Sequence, residues 1–122
     1  IQIRHKGHFD RVWLRDLESC AALPHQGRLI LNDRADYARL YGLGLHVGQD
    51  DLPPAAARDL LGSQAVIGLS THSAAQLQLA PYSHLTYVAL GPIFSTSSKA
   101  NPDPVVGVSQ LAAWRKHAPC PL

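Results

Sequence analysis

The sequence contains no methionine and no long apolar run. Nothing approaches the roughly 18 consecutive apolar residues that a membrane-spanning helix needs. The opening residues, Ile1-Gln2-Ile3-Arg4, read as a strand and not as a leader peptide. Without a start residue, and opening directly in a strand, the chain reads as a piece cut from a longer protein. Cysteine is scarce: Cys20 and Cys120 stand far apart, at no metal or redox spacing. The seven histidines are scattered and form no ligand motif. Charge of either sign is in small excess only. The net value is +2, with acids and bases interspersed, which offers neither a nucleic-acid patch nor a polybasic membrane segment. Together these absences suit a cytoplasmic protein.

What is present suits one globular domain. The chain has 122 residues and 46% hydrophobic content, enough for a single core. Its organising stretch is Leu29 to Asp51. Two apolar runs, Leu29-Ile30-Leu31 and Leu45-His46-Val47, each run into polar, acidic residues: Asn32-Asp33 and Gln49-Asp50-Asp51. Between them Arg34 to Tyr41 reads as a short helix closed by Gly42 and Gly44. Strand, helix, strand is the unit that makes neighbouring parallel strands. Both acidic ends then fall at the same sheet edge, about 5 Å apart. Carboxylates there can share a hard cation such as Mg2+. They can equally cap the helices that follow.

The rest of the chain repeats this unit. Residues Ile1 to Gly7 alternate, so Ile1 and Ile3 point one way and Gln2, Arg4 and Lys6 the other. The polar side is either a solvated edge-strand face or a place where a guanidinium fork and an ammonium converge on an anion. His8 to Leu23 reads as a helix capped by Asp10, with Trp13 in the core. Helices are expected from Ala55 to Leu61 after Pro53-Pro54, from Ser73 to about Leu79, and from Val108 to His117, the last burying Leu111 and Trp114. Strands are expected from Ala65 to Leu69, ending in Ser70-Thr71-His72, and from Thr86 to Leu90, running into a polar loop from Ser95 to Asp103. Alternating β and α segments make an α/β fold with a parallel sheet, either doubly wound or a (β/α)8 TIM barrel. Barrel chemistry sits at the C-terminal strand ends. Lys6, Asn32-Asp33, Asp50-Asp51, Ser70 and Thr96 to Lys99 all fall there, so the chain reads as a five-unit barrel fragment. It would lack one strand before Ile1 and two after Leu122. Its open sheet edges favour self-association.

The segments IQIRHK, LILNDRAD, LHVGQDDLP, IGLSTH and YVALGPIFSTSSK, in this order and spacing, resemble the thiamine phosphate synthase family across nearly the whole chain. The resemblance implies a (β/α)8 barrel. It also implies a transferase that joins hydroxymethylpyrimidine diphosphate to a thiazole phosphate with Mg2+, releasing pyrophosphate. By the same resemblance Gln2, Arg4, Lys6 and Asn32 hold the pyrimidine diphosphate, and Ser70 contacts its diphosphate. Asp33 and Asp51 match the Mg2+ ligands. Thr96, Ser97 and Ser98 match the loop that meets the thiazole phosphate, and Lys99 matches a lysine on the pyrophosphate. His5 stands where the family commonly has Glu, and Ser98 where threonine is common. The segment before His46 is about one residue short of the family pattern.

The implied chemistry asks mainly for charge stabilisation of a leaving diphosphate, which Arg4, Lys6 and Lys99 with Mg2+ would provide. The thiazole nitrogen is itself a nucleophile, so no Ser-His-Asp or Cys-His arrangement is required. Two other readings compete: a thiazole tautomerase-like isomerase on the same fold, and a non-catalytic anion-binding module of a fusion protein. The paired acids at Asn32-Asp33 and Gln49-Asp50-Asp51 argue against the first. Retention of both acids and all three cations argues against the second.

Overall fold

The computed structural model describes residues 1–24, 29–95 and 103–122. Strands β1 (Gln2–Ile3), β2 (Ile30–Asn32), β3 (Gly44–Val47), β4 (Ile67–Thr71) and β5 (Tyr87–Leu90) form one sheet in sequence order. Every neighbouring pair is parallel. Helices α1 (Arg11–Ala22), α2 (Ala35–Tyr41), α3 (Pro54–Leu61), α4 (Ala74–Leu79) and α5 (Val108–Trp114) follow the strands in turn. The alternation alone leaves a doubly wound sheet open; strands in sequence order are the α/β, barrel-type succession.

One alternate set of strand side chains builds the core. Leu31, Leu45, Val47, Ile67, Leu69 and Val88 are buried and cluster with Leu17 of α1, Ala38 of α2, Ala57 of α3 and Leu77 of α4. All four helices therefore cover the same sheet face. The intervening positions, Asn32, His46, Gly68, Ser70 and Tyr87, face the other side. Among the described residues no helix is long and apolar enough to cross a membrane.

Local signals set the helix boundaries. Asp10 accepts hydrogen bonds from the Val12 and Trp13 amides at 3.0 and 2.9 Å, so α1 starts at Arg11 and not at His8. It ends because Leu23 precedes Pro24 and is held extended. Trp13 is only partly buried, packed edge-on to Phe9 and Tyr37 at the margin of the core. Gly42 takes the left-handed conformation that closes α2. Ser73 caps α4 through the Gln76 amide.

Other boundaries differ from expectation as well. β1 pairs only at Gln2 and Ile3, although the alternation continues: His5 packs with Phe9 and Trp13 on the isoleucine side. Ser70 and Thr71 lie within β4, not beyond it, because they pair with Ala89 and Leu90 of β5 and the Thr71 hydroxyl donates to the Ala89 carbonyl. β4 begins only at Ile67. The last helix gives way after Trp114 to a 3-10 turn at Arg115–His117, and Leu111 and Trp114 are half-buried. The outer edge of β5 is partly covered as well, since the Val88 amide donates to the Pro121 carbonyl.

Arg58 of α3 pins the turn into β4. Its guanidinium donates to the carbonyls of Gly62, Ser63, Ala65 and His84. A lysine has one point charge where this site uses a fork. Arg58→Ala should destabilise the protein by about 2 kcal/mol, because partly buried carbonyls lose their donor. Arg58→Lys should recover less than half of that in urea unfolding. Full recovery by lysine would show that charge, and not the fork, holds the turn.

Candidate functional site

Parallel register gathers the polar strand ends. Asn32 of β2 stands beside His46 of β3, which stands beside Gly68 of β4. Gly68 in turn stands beside Tyr87 of β5. Above this row lies a cleft of ≈230 Å3. Pockets that enclose a whole drug-sized ligand are usually larger.

Gln2, Arg4, Lys6, Asn32, Asp33, Asp51 and Ser70 all line this cleft, together with His46, Gly48 and His72. The seven residues singled out on these strands are thus brought to one place. Thr96, Ser97, Ser98 and Lys99 lie outside the described residues.

The charges are already organised. Lys6 Nζ donates to Asp33 Oδ2 at 2.6 Å. The two side chains are 57% and 26% exposed, so the pair adds little to stability; its effect is to hold opposite charges at the cleft rim. Asp51 Oδ2 accepts from the Gly48 amide at 2.7 Å, which closes the turn after β3. Gln49 donates to the Ser70 carbonyl across the β3–β4 gap. The other oxygen of Asp33 and of Asp51 has no hydrogen bond among the described residues.

No cluster of three or more His, Cys, Asp or Glu suited to a metal occurs among the described residues. Two carboxylates nevertheless suit Mg2+, which usually takes one or two protein carboxylates and fills its shell with water and substrate phosphate. The donor set therefore fits Mg2+ and is too poor for a closed protein-only cage.

His46 was not among the candidates, because it sits inside the apolar run Leu45-His46-Val47. Parity could have found it: with Leu45 and Val47 in the core, His46 shares a face with Asn32. It is 7% exposed, and burial pulls its pKa below the ordinary histidine value, partly opposed by the Asp33 and Asp51 carboxylates. Its Nδ1 pairs with Tyr87 Oη and its Nε2 with Ser70 Oγ, both at 2.8 Å. His72 was named only as a strand-end residue. Its Nδ1 donates to the Gly91 carbonyl and lies 3.6 Å from Asp103 Oδ2.

The backbone at Asp33 is unusual. Its φ is 65°, and among the described residues it is the one non-glycine with positive φ. Such conformations cost of order 1 kcal/mol or more and concentrate at functional sites. Here the twist follows the Asp33 amide's bond to the His46 carbonyl and turns the chain into α2. Asp33→Gly should therefore be more stable than Asp33→Ala by about 1 kcal/mol in urea unfolding. Equal stability of the two variants would show that the left-handed turn is not maintained in solution.

Comparison with known proteins gives this arrangement a family. The model of the family described as thiamine monophosphate synthase matches residues 1–122. A thiamine-phosphate synthase of Koribacter versatilis is 53% identical over 102 residues, covering 83% of this chain and 48% of that protein. One from Laribacter hongkongensis is 44% identical over 115 residues, covering 92% and 54%. The chain thus spans about half the length of the curated relatives it matches. In three dimensions it superposes on a thiamine phosphate pyrophosphorylase from Pyrococcus furiosus with a TM-score of 0.82 at 22% identity, covering 98% of this chain and 58% of that one. That likeness establishes the barrel-type α/β fold. With a family model matched from its first residue to its last, the chain belongs to the thiamine monophosphate synthase family.

Proposed function

We propose that this chain supplies the pyrimidine diphosphate side of a transferase. The enzyme joins hydroxymethylpyrimidine diphosphate to thiazole phosphate, giving thiamine phosphate and pyrophosphate. One observation carries the reading: Arg4, Lys6, Asn32, Asp33, Asp51 and Ser70 line a single cleft at the C-terminal ends of adjacent parallel strands. That is where barrel enzymes keep their chemistry. The names of the relatives supply the product, thiamine phosphate, and the family resemblance supplies the two substrates.

In this reading the bond between the pyrimidine methylene carbon and the diphosphate oxygen breaks, and its electron pair stays with the diphosphate. The electron-rich aminopyrimidine supports the resulting cation. The thiazole nitrogen then donates its lone pair to that carbon. Arg4 binds the diphosphate as a fork and Lys6 as a point charge, so both stabilise negative charge as it develops. Asn32 and Gln2 orient the pyrimidine end. Ser70 offers a hydroxyl to the diphosphate. Asp33 and Asp51 would hold Mg2+, which when bound neutralises part of the diphosphate charge. Lys99 is assigned to the pyrophosphate, and Thr96, Ser97 and Ser98 to the thiazole phosphate, on the family resemblance. What the protein contributes beyond charge is position: the nucleophile needs alignment more than activation.

The metal pair gives the first functional test. Asp33→Asn and Asp51→Asn in the full-length protein should each lower Mg2+-dependent coupling by about a hundredfold or more, the scale of a lost electrostatic stabiliser. Near-normal turnover in both would remove Mg2+ from these two residues. The fork gives the second. Arg4→Lys should leave the circular dichroism spectrum unchanged and weaken binding of the pyrimidine diphosphate about tenfold by calorimetry. Unchanged affinity would make Arg4 a bystander at the cleft.

A further inference from the structure

Ser70, His46 and Tyr87 form a chain of hydrogen bonds beside the acidic rim, and its hydrogens can be counted. Tyr87 has one hydroxyl hydrogen. Among the described residues its hydroxyl has one hydrogen-bond partner, His46 Nδ1 at 2.8 Å. Were Nδ1 the donor, the phenol hydrogen would have no acceptor among the described residues, which is costly in a half-buried place. Tyr87 therefore donates and Nδ1 accepts. The ring proton then sits on Nε2, which donates to Ser70 Oγ at 2.8 Å. Ser70 receives this bond, so its own hydrogen is left for a partner elsewhere, and Ser70 lines the cleft with Arg4 and Lys6.

The opposite direction would have the opposite effect. Ser70 would spend its hydrogen on His46 and present only lone pairs to the cleft. An anionic oxygen there would meet an acceptor instead of a donor. The direction of the chain thus decides whether Ser70 attracts or repels a diphosphate.

A missing side chain makes the arrangement feasible. Tyr87 on β5 and His46 on β3 are separated by β4, about two strand spacings, or roughly 10 Å. The residue between them in register is Gly68. A Cβ at position 68 would fall within the Tyr87 phenol. Only a glycine there lets the ring lie across β4, stacked on the imidazole at 5.6 Å between centroids with the planes 28° apart.

We infer that Tyr87, lying over Gly68, is a positioning residue that fixes the His46 tautomer so that Ser70 donates its hydroxyl hydrogen to an anionic oxygen in the cleft. The inference rests on the diphosphate site proposed above for the identity of the anion. Tyr87 acts through His46 and is not among the residues that line the cleft.

The test combines a spectroscopic signature with a binding cycle in the full-length protein. Nitrogen-15 NMR of the imidazoles should find the His46 proton on Nε2 in the unsubstituted protein. Tyr87→Phe keeps the ring over Gly68 and removes only the donor, so the proton should redistribute toward Nδ1. Calorimetric titration with pyrophosphate and Mg2+ should then show about tenfold weaker binding for Tyr87→Phe, the loss of one hydrogen bond to a charged group. The same substitution added to Ser70→Ala should cause no further loss, because the two act through one bond. Gly68→Ala, which displaces the phenol, should match Tyr87→Phe in both readouts.

A proton on Nδ1 in the unsubstituted protein would overturn the inference. So would an equal tenfold loss from Tyr87→Phe in the Ser70→Ala background. If the unsubstituted protein binds no pyrophosphate, the diphosphate reading fails while the tautomer still decides the relay. A proton that leaves Nε2 when Tyr87 becomes Phe supports it, and one that stays overturns it.

Discussion

Register between parallel strands is the constraint on which the cleft depends. Strand side chains alternate, so a slip of one residue would exchange the two faces completely. In β3 such a slip would bring Leu45 and Val47 into the cleft and His46 beneath the helices. The buried set prevents it. Leu31, Leu45, Ile67, Leu69 and Val88 are nearly inaccessible, and each touches a helix-covered core. Burying side chains of this size is worth about 2 kcal/mol each. A slip would forfeit several such contributions at once and would also bury His46 without its Tyr87 and Ser70 partners. The apolar face therefore fixes the position of every polar group on the other face.

That division of labour explains how the cleft tolerates groups that do little for stability. Arg4 and Lys6 are exposed, and Asp51 is exposed in a turn. Lys6 and Asp33 pair in partial contact with solvent. None of these contributes much to the folded state. Asp33 works against it, through a backbone conformation that a side chain disfavours. Polar groups collected at strand ends, where pairing stops and amides turn into helices, can be chosen for chemistry without disturbing the core a few residues earlier.

The pattern of strands and helices was legible in the sequence because it depends on local periodicity. So was the Asp10 cap, which depends on a side chain reaching its own helix; Ser73, expected as the first residue of its helix, caps it instead. Placement of Lys6, Asn32, Asp33, Asp51 and Ser70 at one sheet edge was also legible from alternation and parallel connection, whereas the choice of Asp51 over Asp50 and the gathering of Gln2 and Arg4 into the same site came from the family resemblance. What escaped depended on partners distant in sequence. β4 continues through Ser70 and Thr71 because β5 pairs there, which no local signal at Ser70-Thr71-His72 reveals. The Arg58 fork closes on carbonyls of its own turn and on His84, beyond the next strand. His46 reads locally only as a member of the apolar run Leu45-His46-Val47, and its partners follow from register with Gly68 and Tyr87.

Gly68 shows why such features resist reading from one chain. In a strand a glycine normally weakens the structure, with no side chain to pack and more backbone entropy to lose. Taken alone it suggests a bulge or a defect. In register it is the gap through which a phenol from one neighbour reaches an imidazole on the other. The local cost is offset by burying Tyr87 over the strand and by giving a nearly inaccessible histidine partners at both ring nitrogens. The inner face is therefore no less specified than the core; hydrogen-bond direction, instead of volume, sets its requirements. A core position accepts several apolar side chains of similar size. A row in which each group must donate to the next accepts very few, because replacing one member reverses or breaks the rest.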